Sequence, residues 1–254
     1  MAVEHERQRL SEPRDIYNET MKTLGVVGGV GPESTVEYYR LLIAAYQERM
    51  GEKTLPQIVI NSIDVYRGLA MLDDNRPDLL ADYFAQAVKT LADAGVDFAI
   101  ISANTPHLVF PEVQARTTLP LLSIVEAACA EAKRQGIIRI GLLGTRFTMQ
   151  ARFYPDVFAR EGIAVVVPNE DELAYIHDKY INELLKGVIL ADTRDGLMRI
   201  IARMKDADRI EAVLLAGTEL PLILKEETVQ GLPLLDTTKI HVEAAICRLL
   251  EARS

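Results

Sequence analysis

Cysteine is nearly absent from this 254-residue chain: Cys129 and Cys247 are the only two, each within an alanine-rich amphipathic stretch. That scarcity excludes a disulfide framework or a cysteine-based metal site, and the expectation is two buried structural thiols. Histidine is also sparse, with His5, His107, His177 and His241 the full complement and no HxxxH or HExxH spacing, so no metal is expected. No apolar run approaches the roughly 20 residues that span a bilayer. Glu4, Glu6, Arg7 and Arg9 occupy the N-terminus where a signal peptide would be apolar, which leads to the expectation of a cytoplasmic protein without a membrane partner. Basic residues are in deficit, 28 against 37 acidic ones, giving a net charge of -9. A phosphate-binding footprint needs clustered Lys and Arg, so nucleic acid is excluded and a small molecule is the default partner.

What the chain does contain is a regular alternation. Short apolar runs rich in β-branched residues recur at 24–27, 57–62, 97–102, 138–144, 163–168 and 211–216. Continuously apolar strands of this length belong to a parallel sheet covered on both faces. Helical patterns lie between them at 33–50, 77–94, 123–135, 171–186, 195–205 and 239–252, with Pro77 suited to a first turn and Gly95 to a stop. Residues 1–20 are polar and aperiodic and read as a flexible extension, with Met21 a plausible natural start.

The two halves echo one another. From Gly25 to Ala103 is 78 positions and from Gly141 to Gly217 is 76, each interval opening on a strand that runs into glycine and closing on a strand that runs into a small polar cluster. The predicted fold class is α/β, with two similar lobes of parallel sheets flanked by helices and a ligand cleft between them. The first lobe is assigned to 21–118 plus 228–254 and the second to 119–227. Ligands of open α/β sheets sit at the carboxyl ends of strands, which is where both polar clusters fall.

The turn Gly28-Gly29-Val30-Gly31-Pro32-Glu33-Ser34-Thr35 follows a strand and opens a helix, so its N–H groups, Gly29 among them, could hold a substrate carboxylate; tight packing alone is the alternative. A nicotinamide fingerprint is not met, because the third glycine is missing and the next strand ends at Asn61-Ser62, well beyond 20 positions on. No cofactor is expected.

Gly28–Thr35, Asn104-Thr105, Gly141-Leu142-Leu143-Gly144-Thr145, Thr218-Glu219 and Asp236-Thr237-Thr238-Lys239-Ile240-His241, in this order, resemble the motifs of the aspartate/glutamate racemase family. The resemblance implies a cofactor-free fold of two lobes related by a pseudo-twofold axis, usually a homodimer, that binds a small acidic amino acid or dicarboxylate between them. In that family Cys-Asn-Thr and Cys-Thr-Glu supply two thiols that move the α-proton from opposite faces. Here Ala103 and Gly217 hold the cysteine positions, and neither side chain can transfer a proton. Asn104, Thr105, Thr218 and Glu219 carry over as substrate-binding residues.

Replacement bases are His107, shortly after Ala103, and Glu219, whose pKa burial would raise. Each has a structural alternative, packing for the histidine and helix capping or ammonium binding for the glutamate. Arg67, Arg146 and Lys186 are the cations placed to hold a second carboxylate, although a lysine in a last helical turn also complements the helix dipole. Four readings stay open: a racemase-like isomerase using other bases, a catalytically silent ligand-binding homologue, a lyase or decarboxylase with a non-cysteine base, or an inactive variant engineered by replacing both cysteines.

Overall fold

The computed structural model of the protein describes residues 21–252, so the extension expected over 1–20 lies outside the described residues. Strands β1 (Leu24–Gly28), β2 (Ile58–Ser62), β3 (Phe98–Ile101) and β4 (Leu121–Leu122) form an all-parallel sheet in the order β2-β1-β3-β4. Strands β5 (Arg139–Gly144), β6 (Ala164–Val166), β7 (Ala212–Ala216), β8 (Thr228–Val229) and β9 (Leu232–Asp236) form a second sheet in the order β6-β5-β7-β9-β8, in which β8 alone is antiparallel. The first four places of the second sheet repeat the order of the first, so the internal echo of the sequence is an echo of topology.

The unbroken apolar runs follow from burial on both faces. Along β1, Val26 packs with Tyr38, Leu42 and Ile246, whereas Val27 packs with Phe84, Val88 and Leu91 on the opposite face. Along β7, Val213 and Leu215 face one core and Leu214 and Ala216 the other. Each fully buried aliphatic of this kind contributes roughly 1.5–3 kcal/mol.

Helix starts agree with local chemistry. Proline opens Pro32–Met50 and Pro77–Asp93, Ser123 caps Ile124–Arg134, and an Asn169–Glu172 capping box opens Glu170–Asn182. The helix expected at 171–186 stops at Asn182, and Leu184–Lys186 is a separate 3-10 turn ended by left-handed Gly187. The expected helix at 195–205 is longer, Ala191–Asp208. Helices Val65–Asp73, Phe110–Ala115 and Phe153–Arg160 are additional, and at 9, 6 and 8 residues they are too short to carry a legible period.

Both expected lobe boundaries shift. β4 pairs with β3, so the chain leaves the first sheet after Leu122, not at 118. β8 and β9 pair into the second sheet, so only the helix Thr237–Leu250 returns, packing Val242, Ala245, Ile246 and Leu249 against the first-sheet core. Cys129 is buried as expected, but Cys247 is exposed: it lies on the outer face of that helix, opposite its buried stripe. No helix among the described residues is long and apolar enough to cross a membrane.

Candidate functional site

The segments that follow β1, β3, β5 and β7 line one cavity of about 60 Å³: Val30 after β1, Ala103 to Pro106 after β3, Thr145 after β5, and Ala216 to Glu219 from β7. Its remaining wall is mostly hydrocarbon, from Val65, Leu69 and Leu72, from Leu80 and Phe84, and from Ile181 and Leu185. No lysine or arginine among the described residues contributes to the lining. An apolar cavity of 150 Å³ is known to take benzene, so this space suits a smaller molecule.

The ionisable groups of the lining are Glu219 and Tyr180. Glu219 is only 2% exposed. Its Oε2 accepts from the Thr218 hydroxyl at 2.9 Å and from the Tyr180 hydroxyl, while Oε1 has no partner among the described residues. Burial raises the Glu219 pKa above the ordinary glutamate range, against the two hydroxyl donors that lower it. Burial likewise pushes Tyr180 well above the usual tyrosine range, assisted by the adjoining carboxyl group. A Cβ on Gly31 would stand 2.3 Å from Glu219 Oε1, so the bare glycine turn of the first half admits the carboxyl of the second.

The other predicted binding side chains are committed to the protein itself. Asn104 accepts from the Tyr154 hydroxyl at 2.5 Å and donates to Thr237 at 3.2 Å, and Thr237 donates to the Leu215 carbonyl at 2.7 Å. The Thr105 hydroxyl lies 3.0 Å from Thr145 and 3.1 Å from Thr148, which are themselves 3.2 Å apart, so three hydroxyls close a triangle between the two halves. The late Asp236–His241 motif has structural work: Asp236 caps the last helix through Thr238 and Lys239, and His241 bridges Tyr38 and the Leu122 carbonyl.

His107 does not face the cavity. Its Nδ1–H donates to the Ala103 carbonyl at 3.2 Å, its Nε2 accepts from Ile124 N–H at 3.3 Å, and the ring stacks on Phe110. Burial lowers its pKa to about 3, so the ring is neutral and both nitrogens are used by the main chain. As a base it is corrected to a packing residue that positions the Ala103 carbonyl.

Arg67, Arg146 and Lys186 also lie outside. Arg67 stacks over Tyr83 at 4.9 Å, Arg146 over Phe147 at 5.3 Å, and Lys186 is exposed on its 3-10 turn. Gly29 sits at φ +77°, where an added Cβ would meet the Ile63 carbonyl at 2.1 Å, and its N–H already donates to Thr35 Oγ1 at 2.9 Å. Of the two readings of the glycine turn, tight packing is the one this geometry favours.

The sequence profile of the Asp/Glu/Hydantoin racemase family matches residues 27–245, the stretch that builds both sheets and the cavity. The chain belongs to this family. Among racemase-family structures, an aspartate racemase homologue from Pyrococcus horikoshii OT3 is 33% identical, with a TM-score of 0.76 over 91% of this chain and 100% of that one. A Yersinia pestis structure provisionally assigned as an Asp/Glu racemase is 31% identical, with a TM-score of 0.82 over 91% and 100% of the two chains. The broad specificity amino-acid racemase RacX of Bacillus subtilis is 28% identical over 148 residues, 56% of this chain and 63% of that protein, so the match spans less than two thirds of it.

Sequence reasoning missed Tyr180 and Tyr154, the residues that hold Glu219 and Asn104. Tyr180 lies on the same buried stripe as Leu173 and Ile176, and periodicity reads such a stripe as core.

Proposed function

We propose that this racemase-family chain binds a small, weakly polar amino acid or short carboxylic acid in the cavity between its halves, and that it does not racemise it by two opposed bases. The lining carries this reading. Ala103 and Gly217 stand at the facing strand ends where the family resemblance puts thiols, no cation is present for a second carboxylate, and the walls are apolar. A dicarboxylate ligand would bring a second carboxylate into this space with no cation to meet it, at a cost of several kcal/mol. The reading supported by this lining is therefore a ligand with one carboxylate rather than the acidic amino acid or dicarboxylate expected from the sequence. A ligand carboxylate would rest on main-chain N–H groups of the strand-end turns. A cytoplasmic homodimer is part of the same reading, and light scattering at working concentration tests the dimer.

The test is a melting-temperature screen against L- and D-alanine, serine, valine, aspartate and glutamate. The expected result is a rise with alanine or serine, worth about 2.7 kcal/mol at a hundredfold excess over Kd, and none with aspartate or glutamate. Proton NMR in deuterated solvent accompanies it: loss of the α-proton signal with inversion would overturn the proposal. A second reading is favoured by the unpartnered Glu219 Oε1, which could move a proton at one face only. Its mark is α-deuteration with configuration retained.

A further inference from the structure

Position 217 is a glycine for a reason of space. It is not among the residues at positive φ, so its backbone suits any side chain. An ideal Cβ there would nonetheless stand 2.4 Å from Tyr180 Cε2 and 3.1 Å from both Cζ and the hydroxyl, and no other residue supplies its three nearest neighbours. Tyr180 is 5% exposed, sits on the helix Glu170–Asn182 and donates its hydroxyl to Glu219, so the ring is held at both ends.

We infer that Tyr180 is the specificity-determining residue of this cavity: its ring takes the volume a side chain at 217 would need and thereby sets the size of ligand that fits against Glu219. This rests on the small-ligand reading above for its functional half. Its structural half, a matched pair of Tyr180 and Gly217, stands without any ligand. The pair explains why the polar strand end after β7 carries no side chain at its first position, and it means that a thiol there would have to displace the ring.

The experiment is a melting cycle joined to a ligand-size screen on the full chain. Gly217→Ala is made in the wild type, in Tyr180→Phe and in Tyr180→Leu. Leucine keeps the branch as far as Cδ but removes the Cε, Cζ and hydroxyl atoms that crowd position 217, whereas phenylalanine keeps the ring.

Overpacking should lower the melting temperature by roughly 3–10 °C in the wild type and in Tyr180→Phe, and by less than about 2 °C in Tyr180→Leu. The Tyr180→Leu protein should also shift its preference from alanine and serine toward leucine and methionine. Equal losses in all three backgrounds would overturn the inference, as would an unchanged size preference in a Tyr180→Leu protein that still binds ligand. If no amino acid stabilises any of these proteins while the coupling persists, Tyr180's control of the cavity volume stands and the ligand-binding reading is what fails.

Discussion

Replacing Glu219 by glutamine should make the protein more resistant to heat at neutral pH and leave it unchanged in mild acid. The carboxyl is buried, and among the described residues no cation lines its cavity and two hydroxyls serve one of its oxygens while the other has none. Burial therefore raises its folded pKa above the ordinary 4.5. For an acid shifted upward, the native state keeps a proton that the unfolded chain has released. Stability is fully present below pH 4.5 and declines as pH rises, until the folded carboxyl ionises too. One proton sets the slope at no more than about 1.4 kcal/mol per pH unit. In a domain of this size that is roughly 3–6 °C per unit.

Glutamine has no such proton, and its amide oxygen still accepts from Tyr180 and Thr218. Melting curves of both proteins in matched buffers from pH 4.5 to 8 should start together, separate in favour of Glu219→Gln by up to that slope, and then run parallel. Taking the difference between the two removes His107, His241 and Asp236, which titrate in both. A Glu219→Gln protein that loses ground to the wild type as pH rises would refute the argument, since it would mean that the fold favours the carboxylate.

Three further outcomes follow from the same geometry. His107 and His241 are lowered by burial to about 3 and about 4, so below the ordinary 6.5 the unfolded chain takes up protons that the native state refuses; the urea midpoint should fall between pH 6.5 and 4, the two rings together contributing up to about 2.8 kcal/mol per unit. Tyr154→Phe leaves Asn104 Oδ1 buried without its donor and should cost about 1–3 kcal/mol in urea unfolding, with a smaller loss counting against the network. Arg67→Ala, Arg146→Ala and Lys186→Ala should each leave calorimetric ligand affinity unchanged, and a tenfold weakening by any one would return that cation to the site.

The strands were legible because burial on both faces leaves one chemical signature, seen in the continuous runs through Val26-Val27 and Leu214-Leu215. The cavity's strand-end walls were legible too, since Ala103–Thr105 and Gly217–Glu219 follow β3 and β7. What the sequence concealed is direction. Asn104 points to Tyr154 and Thr237 and Tyr180 into the cavity beside Glu219, choices that depend on partners tens of residues away, whereas His107 turns to two main-chain groups, Ala103 four residues back and Ile124 on the next helix. The lobe boundaries were missed because β4 is two residues long and because β8 and β9 form a short hairpin among prolines and acidic residues, with no long apolar run to reveal it.

The hydroxyl triangle of Thr105, Thr145 and Thr148 is an uncharged latch. Its two links across the halves are each worth about 0.5–1.5 kcal/mol, so together they stabilise the contact between the halves by about 1–3 kcal/mol. A clasp of ion pairs would loosen in salt and shift with pH. This one carries no charge, so its contribution to stability should be the same in dilute buffer and in concentrated salt.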